Sequence, residues 1–363
     1  LARLWRDECL LNHTRCQRGS NGAEPKLPTR LVDVSDPERP FLQERHTLPR
    51  SRPNTQYVAL SYCWGQGKKF RTLRDNYEIF KATGIPCFDL PQTFKDAIHA
   101  AHSLGYQYIW IDALCIIQDD DGDLENELKN MGDIYRYAEL TICAQGAASS
   151  HAGFFQSSRH TLSLVPRSVD LRIVSTSRET TVLNPTLTGR FNVKDYLSSR
   201  GWILQEDILT LRALKFSDQM SWRCMETIQM ETEPHIFRGA LYSQENRGTD
   251  HVPEPATHTE YSSQDQAICS PDPLRDIFAS WYSMIQLYSD MKLTYASDVL
   301  RALSGVSAIL RDTYRTTYLA GLWNEDLFAG LCWYASANDT RVAFRHTAPS
   351  WTWASVGKVR VRF

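Results

Sequence analysis

The sequence predicts an α/β fold, a parallel sheet with helices on both faces, elaborated by a carboxyl-terminal α+β region. Three observations carry this. Tyr108 to Ile117 is an apolar run ten residues long, rich in β-branched and aromatic side chains and broken only by Asp112, which suits a strand buried on both faces. After the acidic loop 118–123, Leu124, Leu128, Met131 and Tyr135 recur at helical spacing and lead into a further strand, residues 139–144. Upstream, the strand YVAL (57–60) and a helix from Pro91, with Phe94, Ala97, Ile98, Ala101 and Leu104 on one face, complete a β-α-β-α-β series.

Residues 1–17 read as an amphipathic helix containing Cys9, His13 and Cys16. C-x3-H-x2-C offers three zinc ligands where a structural site needs four, so the residues read as thiols packed in a core, and no metal is expected. LPTRLVDV (27–34) gives a short strand, and 35–55 an exposed loop. Residues 66–90 show no clear pattern. His99 and His102 share a helix face without a further ligand nearby and read as surface histidines. Between 146 and 196 only LSLVP and LRIVS resemble strands. Trp202, Leu204, Ile208 and Leu211 mark a helix, followed by strands at ALKFS and MSWRC. Residues 228–272 are polar and aperiodic, the pattern of a flexible insertion. Ile277, Trp281, Ile285 and Tyr288 mark one later helix; Val299, Leu300, Leu303, Val306 and Leu310 mark another. FAGLCWY and APSWTWASV read as short strands. The division expected is 1–56 as a helix and strand packing on the core, 57–227 as the core, 228–272 as the insertion and 273–363 as the carboxyl-terminal region.

With 363 residues, 42% hydrophobic and 11% aromatic, the chain can bury a large core. A net charge of −2, from 40 basic and 42 acidic residues, gives no pull towards nucleic acid or an anionic membrane. No apolar run reaches the about 18 residues of a membrane-spanning helix, and residues 1–20 lack the apolar core of a signal peptide. Nine cysteines, an odd number spread widely, fit reduced thiols and a cytoplasmic location better than a disulfide framework. Neither a glycine-rich dinucleotide fingerprint nor a P-loop is present, which argues against a conventional dehydrogenase or ATPase.

Chemistry is expected where strands end. SYCWG, comprising Ser61, Tyr62, Cys63, Trp64 and Gly65, follows YVAL directly and would bring a hydroxyl and backbone N–H groups to a ligand, or simply make a tight turn around a packing Trp. Arg200, Gln205 and Glu206 are polar groups among large apolar neighbours, Trp202 included; such groups are hydrogen-bonded for structure or contact a polar ligand. Glu127 is expected in the first turn or so of its helix, at the carboxyl end of the central strand, either capping that helix or facing a ligand.

YVALSYCWG, then YIWIDALCIIQDD with DLENELKNMGDIYRYAELTICA, then RGWILQEDILTLRALKFS with WRC, resemble in order and spacing the three blocks of the fungal heterokaryon-incompatibility (HET) domain. WRDECLLNHTRC, LPTRLVDV and APSWTWAS extend the likeness over most of the chain. The resemblance implies a link to programmed cell death on fusion of incompatible fungal cells, and a TIR/flavodoxin-like core, since the family is thought to share the fold of Toll/interleukin-1 receptor (TIR) domains, some of which hydrolyse NAD. TIR enzymes carry a W-x-x-E-type pattern with a catalytic Glu; the matching residues here are Leu124, Glu125, Asn126 and Glu127, with Leu124 departing from the usual Trp. On that basis Glu127 is the expected catalytic carboxylate. Residues 61–65 would hold the ribose or diphosphate, Asp112, Cys115 and Gln118 would line the same strand end, and Arg200, Trp202, Gln205 and Glu206 would close the pocket. NAD is then a substrate, with no tightly bound cofactor. One carboxylate suffices because nicotinamide leaves as a neutral molecule and needs no general acid. Two alternatives stand beside this: an enzyme acting on a secondary metabolite, with a Cys63 or Cys115 thiolate as nucleophile, and a non-enzymatic module that self-associates through helix surfaces.

Overall fold

The computed structural model describes residues 1–17, 26–48, 55–67, 69–155, 195–231, 273–335, 348–356 and 359–363. Two compact units emerge: Leu1–Arg238 with Met291–Ala308, and Gly239–Asp290 with Ile309–Phe363.

In chain order the first unit contains α1 (Ala2–Asn12), β1 (Arg30–Asp33), β2 (Phe41–Glu44), β3 (Tyr57–Ser61), α2 (Arg74–Ala82), α3 (Gln92–Ser103), β4 (Tyr108–Trp110), α4 (Asp112–Cys115), α5 (Asp121–Tyr137), β5 (Leu140–Cys143), α6 (Gly201–Leu209), β6 (Ala213–Phe216), β7 (Met220–Arg223) and β8 (Ile228–Met230). All eight strands join one sheet in the order β2-β1-β4-β3-β5-β6-β7-β8. Its centre, β4-β3-β5-β6, is parallel, and the pairs on either flank are antiparallel. The architecture is therefore mixed α/β with a parallel centre rather than a wholly parallel sheet. Every residue of β3, β4 and β5 is buried, as expected for strands covered on both faces. β7 alternates buried and half-buried residues, the period of a strand with one wetter face.

Several elements differ from expectation. The apolar run 108–117 is strand only to Trp110. It then turns through α4, whose carbonyls at Ala113 and Leu114 accept hydrogen bonds from the Thr72 backbone N–H and hydroxyl. A fully buried turn is as apolar as a fully buried strand, so composition could not separate them. The loop expected at 35–55 contains β2, and the unpatterned stretch 66–90 contains α2, a mostly exposed helix with Phe80 as its buried residue. α5 begins at Asp121, capped by the Asp120 carboxylate accepting from the N–H groups of Gly122 and Asp123. Glu127 therefore lies in its second turn, away from the helix N-terminus. The expected strands at LSLVP and LRIVS lie outside the described residues, and so does the insertion expected at 228–272 beyond residue 231; its first residues, 228–230, instead pair with β7 as strand β8.

The second unit contains α7 (Pro273–Ser289) and short strands: β9 (Tyr318–Leu319) with β10 (Leu322–Trp323), and β11 (Tyr334–Ala335) with β12 (Val361–Arg362). The single helix expected from Val299 instead begins with a 3-10 turn, Arg301–Leu303, that leads into the helix α8 (Ser304–Tyr314). FAGLCWY begins as the helix α9 (Leu327–Gly330) and SWTWAS contains a 3-10 turn, so neither is chiefly strand. Trp281, Trp323 and Tyr318 pack edge to face. The Gly321 carbonyl accepts the indole N–H of both Trp281 and Trp353 at 3.0 Å.

Candidate functional site

The carboxyl ends of β3 and β4 carry a connected polar network. β3 delivers Ser61 and then residues 62–65. Gly65 has φ +74°, and a Cβ there would sit 2.2 Å from Ser149 Cβ, so the turn admits glycine alone without displacement. Asp112 follows β4. Its Oδ1 accepts from the Tyr62 hydroxyl at 2.8 Å and the Ala113 N–H at 2.6 Å, and its Oδ2 from Trp64 Nε1 at 2.7 Å. The Tyr62 and Trp64 rings stack at 6.4 Å. From the start of α6, the Arg200 guanidinium donates to the Tyr62 carbonyl.

Glu206, one and a half turns into α6, enters the same network. The Ser61 and Tyr135 hydroxyls lie against its carboxyl group, the Arg200 guanidinium attracts its charge and the Asp112 carboxylate repels it. Burial outweighs these partners and raises its pKa to about 7. Its Oε2 is buried without a hydrogen-bond partner. Asp112 is likewise raised by burial, against the opposing hydrogen bonds from Trp64 and Tyr62.

Ser61, Tyr62, Trp64, Asp112, Arg200 and Glu206 are thus brought together, as is Cys63, whose sulfur donates to the Tyr196 carbonyl at 3.4 Å. The other expected residues point elsewhere. Gln118 donates to the Asp112 and Ile116 carbonyls, bracing the loop. Trp202 Nε1 donates to Asp298 at 3.1 Å, and Gln205 Oε1 accepts from the Gly305 N–H at 2.6 Å. Cys115 is fully buried, with a pKa pushed up to about 12 by desolvation, and Cys63 is also raised by burial. Neither is an activated thiolate.

Glu127 belongs to a different cluster. The Thr29 hydroxyl donates to its Oε1, with Asn126 Nδ2 at 3.3 Å. Beside it, Arg30 pairs with Asp123 and donates to the Cys115 carbonyl at 2.7 Å. Burial raises its pKa, and its Oε2 has no partner. The expectation that Glu127 and the aromatic turn share one open cavity meets a carboxylate only 1% exposed, whose hydrogen bonds all lie outside the turn's network. The physical reason is local: β1 runs antiparallel beside β4 and brings Thr29 and Arg30 over that face of α5.

Sequence reasoning missed Tyr135, whose hydroxyl donates to the Leu60 carbonyl at 3.1 Å and lies against the Glu206 carboxyl group. It counted only as an apolar helix position, and its hydroxyl was the available signal.

The family model described as heterokaryon incompatibility protein (HET) matches residues 57–206. Heterokaryon incompatibility protein 6, OR allele, of Neurospora crassa is 28% identical over 136 residues, which cover 35% of this chain and 20% of that protein's length. No solved structure matches. Among the described residues, no helix is long and apolar enough to cross a membrane.

Proposed function

Through residues 57–206 the chain belongs to the heterokaryon-incompatibility (HET) family, and from that premise we propose that its strand-end network binds an NAD-type nucleotide and hydrolyses the N-glycosidic bond to nicotinamide. The observation that carries this reading is Glu206: a buried carboxyl with a pKa of about 7, beside Arg200 and Ser61, at the ends of parallel strands. Open α/β sheets take ligands at that end, next to the strand where the chain reverses direction of winding. Here β3 is that strand, with β4 on one side and β5 on the other. The order β4-β3-β5-β6 is that of doubly wound nucleotide-binding sheets and supports a TIR/flavodoxin-like core.

In the reaction the bond from ribose C1′ to the pyridinium nitrogen breaks, and both electrons go to the nitrogen, which leaves neutral. A water oxygen bonds C1′. Glu206, half ionised near neutral pH, takes the water's proton and stabilises the developing oxocarbenium charge. Arg200 and the turn 61–65 would hold the diphosphate, and Trp64 would flank the base. Depletion of cytoplasmic NAD would connect this chemistry to incompatibility and cell death.

The resemblance to TIR enzymes names Glu127 for the carboxylate role; its enclosure by Thr29 and Asn126 favours Glu206. Nicotinamide release from NAD by wild type, Glu206→Gln and Glu127→Gln decides. Release that is lost in Glu206→Gln and kept in Glu127→Gln is expected. The reverse pattern in folded variants restores Glu127. No release by wild type at high concentration removes the enzymatic reading.

A second reading is favoured by the near-complete burial of Ser61, Glu127 and Glu206, 2%, 1% and 5% exposed. On it the network is a structural latch in a signalling module that self-associates. Wild type without nicotinamide release, but oligomeric in light scattering, would support it. The raised thiols of Cys63 and Cys115 weigh against a thiolate enzyme acting on a secondary metabolite.

A further inference from the structure

Four metal-ligating side chains converge elsewhere in the first unit. α1 places Cys9 and His13 one turn apart; the helix stops at Asn12, His13 is extended, and the 3-10 turn Thr14–Cys16 folds the next thiol back. Cys224, immediately after β7, meets them. One ligand atom from each of Cys9, His13, Cys16 and Cys224 lies within 4.8 Å of all the others. His13 turns Nδ1 into the group, 3.3 Å from Cys224 Sγ. The cysteines are fully buried and His13 is 7% exposed. The three cysteines are free thiols.

We propose that these residues form a structural Cys3His zinc site. Tetrahedral zinc, with bonds of about 2.3 Å to sulfur and about 2.0 Å to nitrogen, holds neighbouring ligand atoms about 3.5–3.8 Å apart. A set already within 4.8 Å closes on the ion by small side-chain rotations. Thiols that merely fill a core have no reason to converge with an imidazole nitrogen on one point. The surroundings also suit a thiolate site. Arg212 Nε donates to Cys9 Sγ at 3.3 Å, and another of its nitrogens donates to the Cys16 carbonyl at 2.7 Å. The Thr227 hydroxyl lies 3.4 Å from Cys224 Sγ. Zinc with three thiolates carries one net negative charge, which the adjacent buried guanidinium offsets. Glu139, paired with Arg212 at 2.8 Å, fixes its orientation.

Four protein ligands leave no open position, so the site holds structure rather than performing chemistry. Binding releases the thiol protons to solvent and changes no oxidation state. The site ties α1 to the end of β7, joining His13 to a residue 211 positions away and closing a loop around the whole of 57–206. The spacing C-x3-H-x2-C showed three of the ligands; reading them as packed thiols lacked the fourth, which the chain supplies only on folding.

The test uses the full chain, purified reduced and without chelator, with zinc content measured by mass spectrometry. About one zinc per chain is expected, and the cobalt-substituted protein should show the intense visible bands of tetrahedral thiolate ligation. Cys224→Ser and Cys16→Ser should weaken metal binding by more than about tenfold, while Cys332→Ser, an exposed thiol outside the cluster, should leave it unchanged. If the ligand variants fail to fold, wild type carries the test: chelation should lower its melting temperature and expose three thiols to labelling, and added zinc, but not magnesium, should reverse both. Reduced wild type that takes up neither zinc nor cobalt, or a native disulfide between any two of these cysteines, overturns the site.

Discussion

Trp64 donates its indole N–H to Asp112 Oδ2 at 2.7 Å, fastening the turn after β3 to the residue that follows β4. Tyr62 and the Ala113 N–H occupy Oδ1, and Tyr62 is wedged edge-on against Phe94 at 5.0 Å. One carboxylate thus serves as acceptor for three donors, two from the turn after β3 and one from α4, and two aromatic rings take their positions from it.

Removing that acceptor strands all three donors. Asp112→Ala is expected to cost about 3 kcal/mol, and Asp112→Asn, which keeps one acceptor oxygen, about 1 kcal/mol. Urea midpoints at unchanged m-value measure both. An unshifted midpoint in Asp112→Ala would show that the turn is held by packing alone.

Glu206 makes stability pH-dependent in a defined direction. Burial raises its pKa from 4.5 to about 7, so between those values the folded chain binds more protons than the unfolded one. The stabilisation is fully present below the unfolded value and is lost as pH rises through the folded one, by up to roughly 3 kcal/mol. Glu127 is shifted the same way by burial and steepens the fall. Unfolding free energies between about pH 5 and 8 should therefore decline for wild type and decline less for Glu206→Gln. A Glu206→Gln curve parallel to wild type would mean that Glu206 titrates normally in the fold.

The parallel centre was legible because β3, β4 and β5 are buried on both faces and read as largely apolar runs, and because α3 and α5 keep helical period. β2 escaped because a four-residue strand near the sheet edge, with Leu42 its one buried residue, carries too little pattern. α4 escaped because burial erases the difference between strand and turn. The members of the strand-end network were mostly found, since SYCWG and the polar positions of α6 interrupt apolar surroundings. Their partition was not: which of Glu127 and Glu206 faces the network depends on where β1 lies. That antiparallel neighbour comes from upstream of residue 57 and leaves no mark on the helix it covers.

α5 and the segment after the last 3-10 turn of the first unit approach through two glycines. A Cβ on Gly132 would sit 2.6 Å from Gly305 Cα, and one on Gly305 would sit 2.7 Å from Gly132 Cα and 3.0 Å from Gln205 Oε1. In an isolated helix Gly132→Ala would stabilise by up to about 1 kcal/mol. Here the backbones must separate, and a cost of about 2 kcal/mol is expected instead. Gly305→Ala should cost a similar amount and also disturb the 2.6 Å bond from Gly305 to Gln205, the neighbour of Glu206 on α6. Because either alanine alone forces the same separation, the double variant should cost clearly less than the two singles together. Chemical denaturation of the three variants measures this. A stabilised Gly132→Ala, or strict additivity, would mean that the two backbones do not meet at these residues.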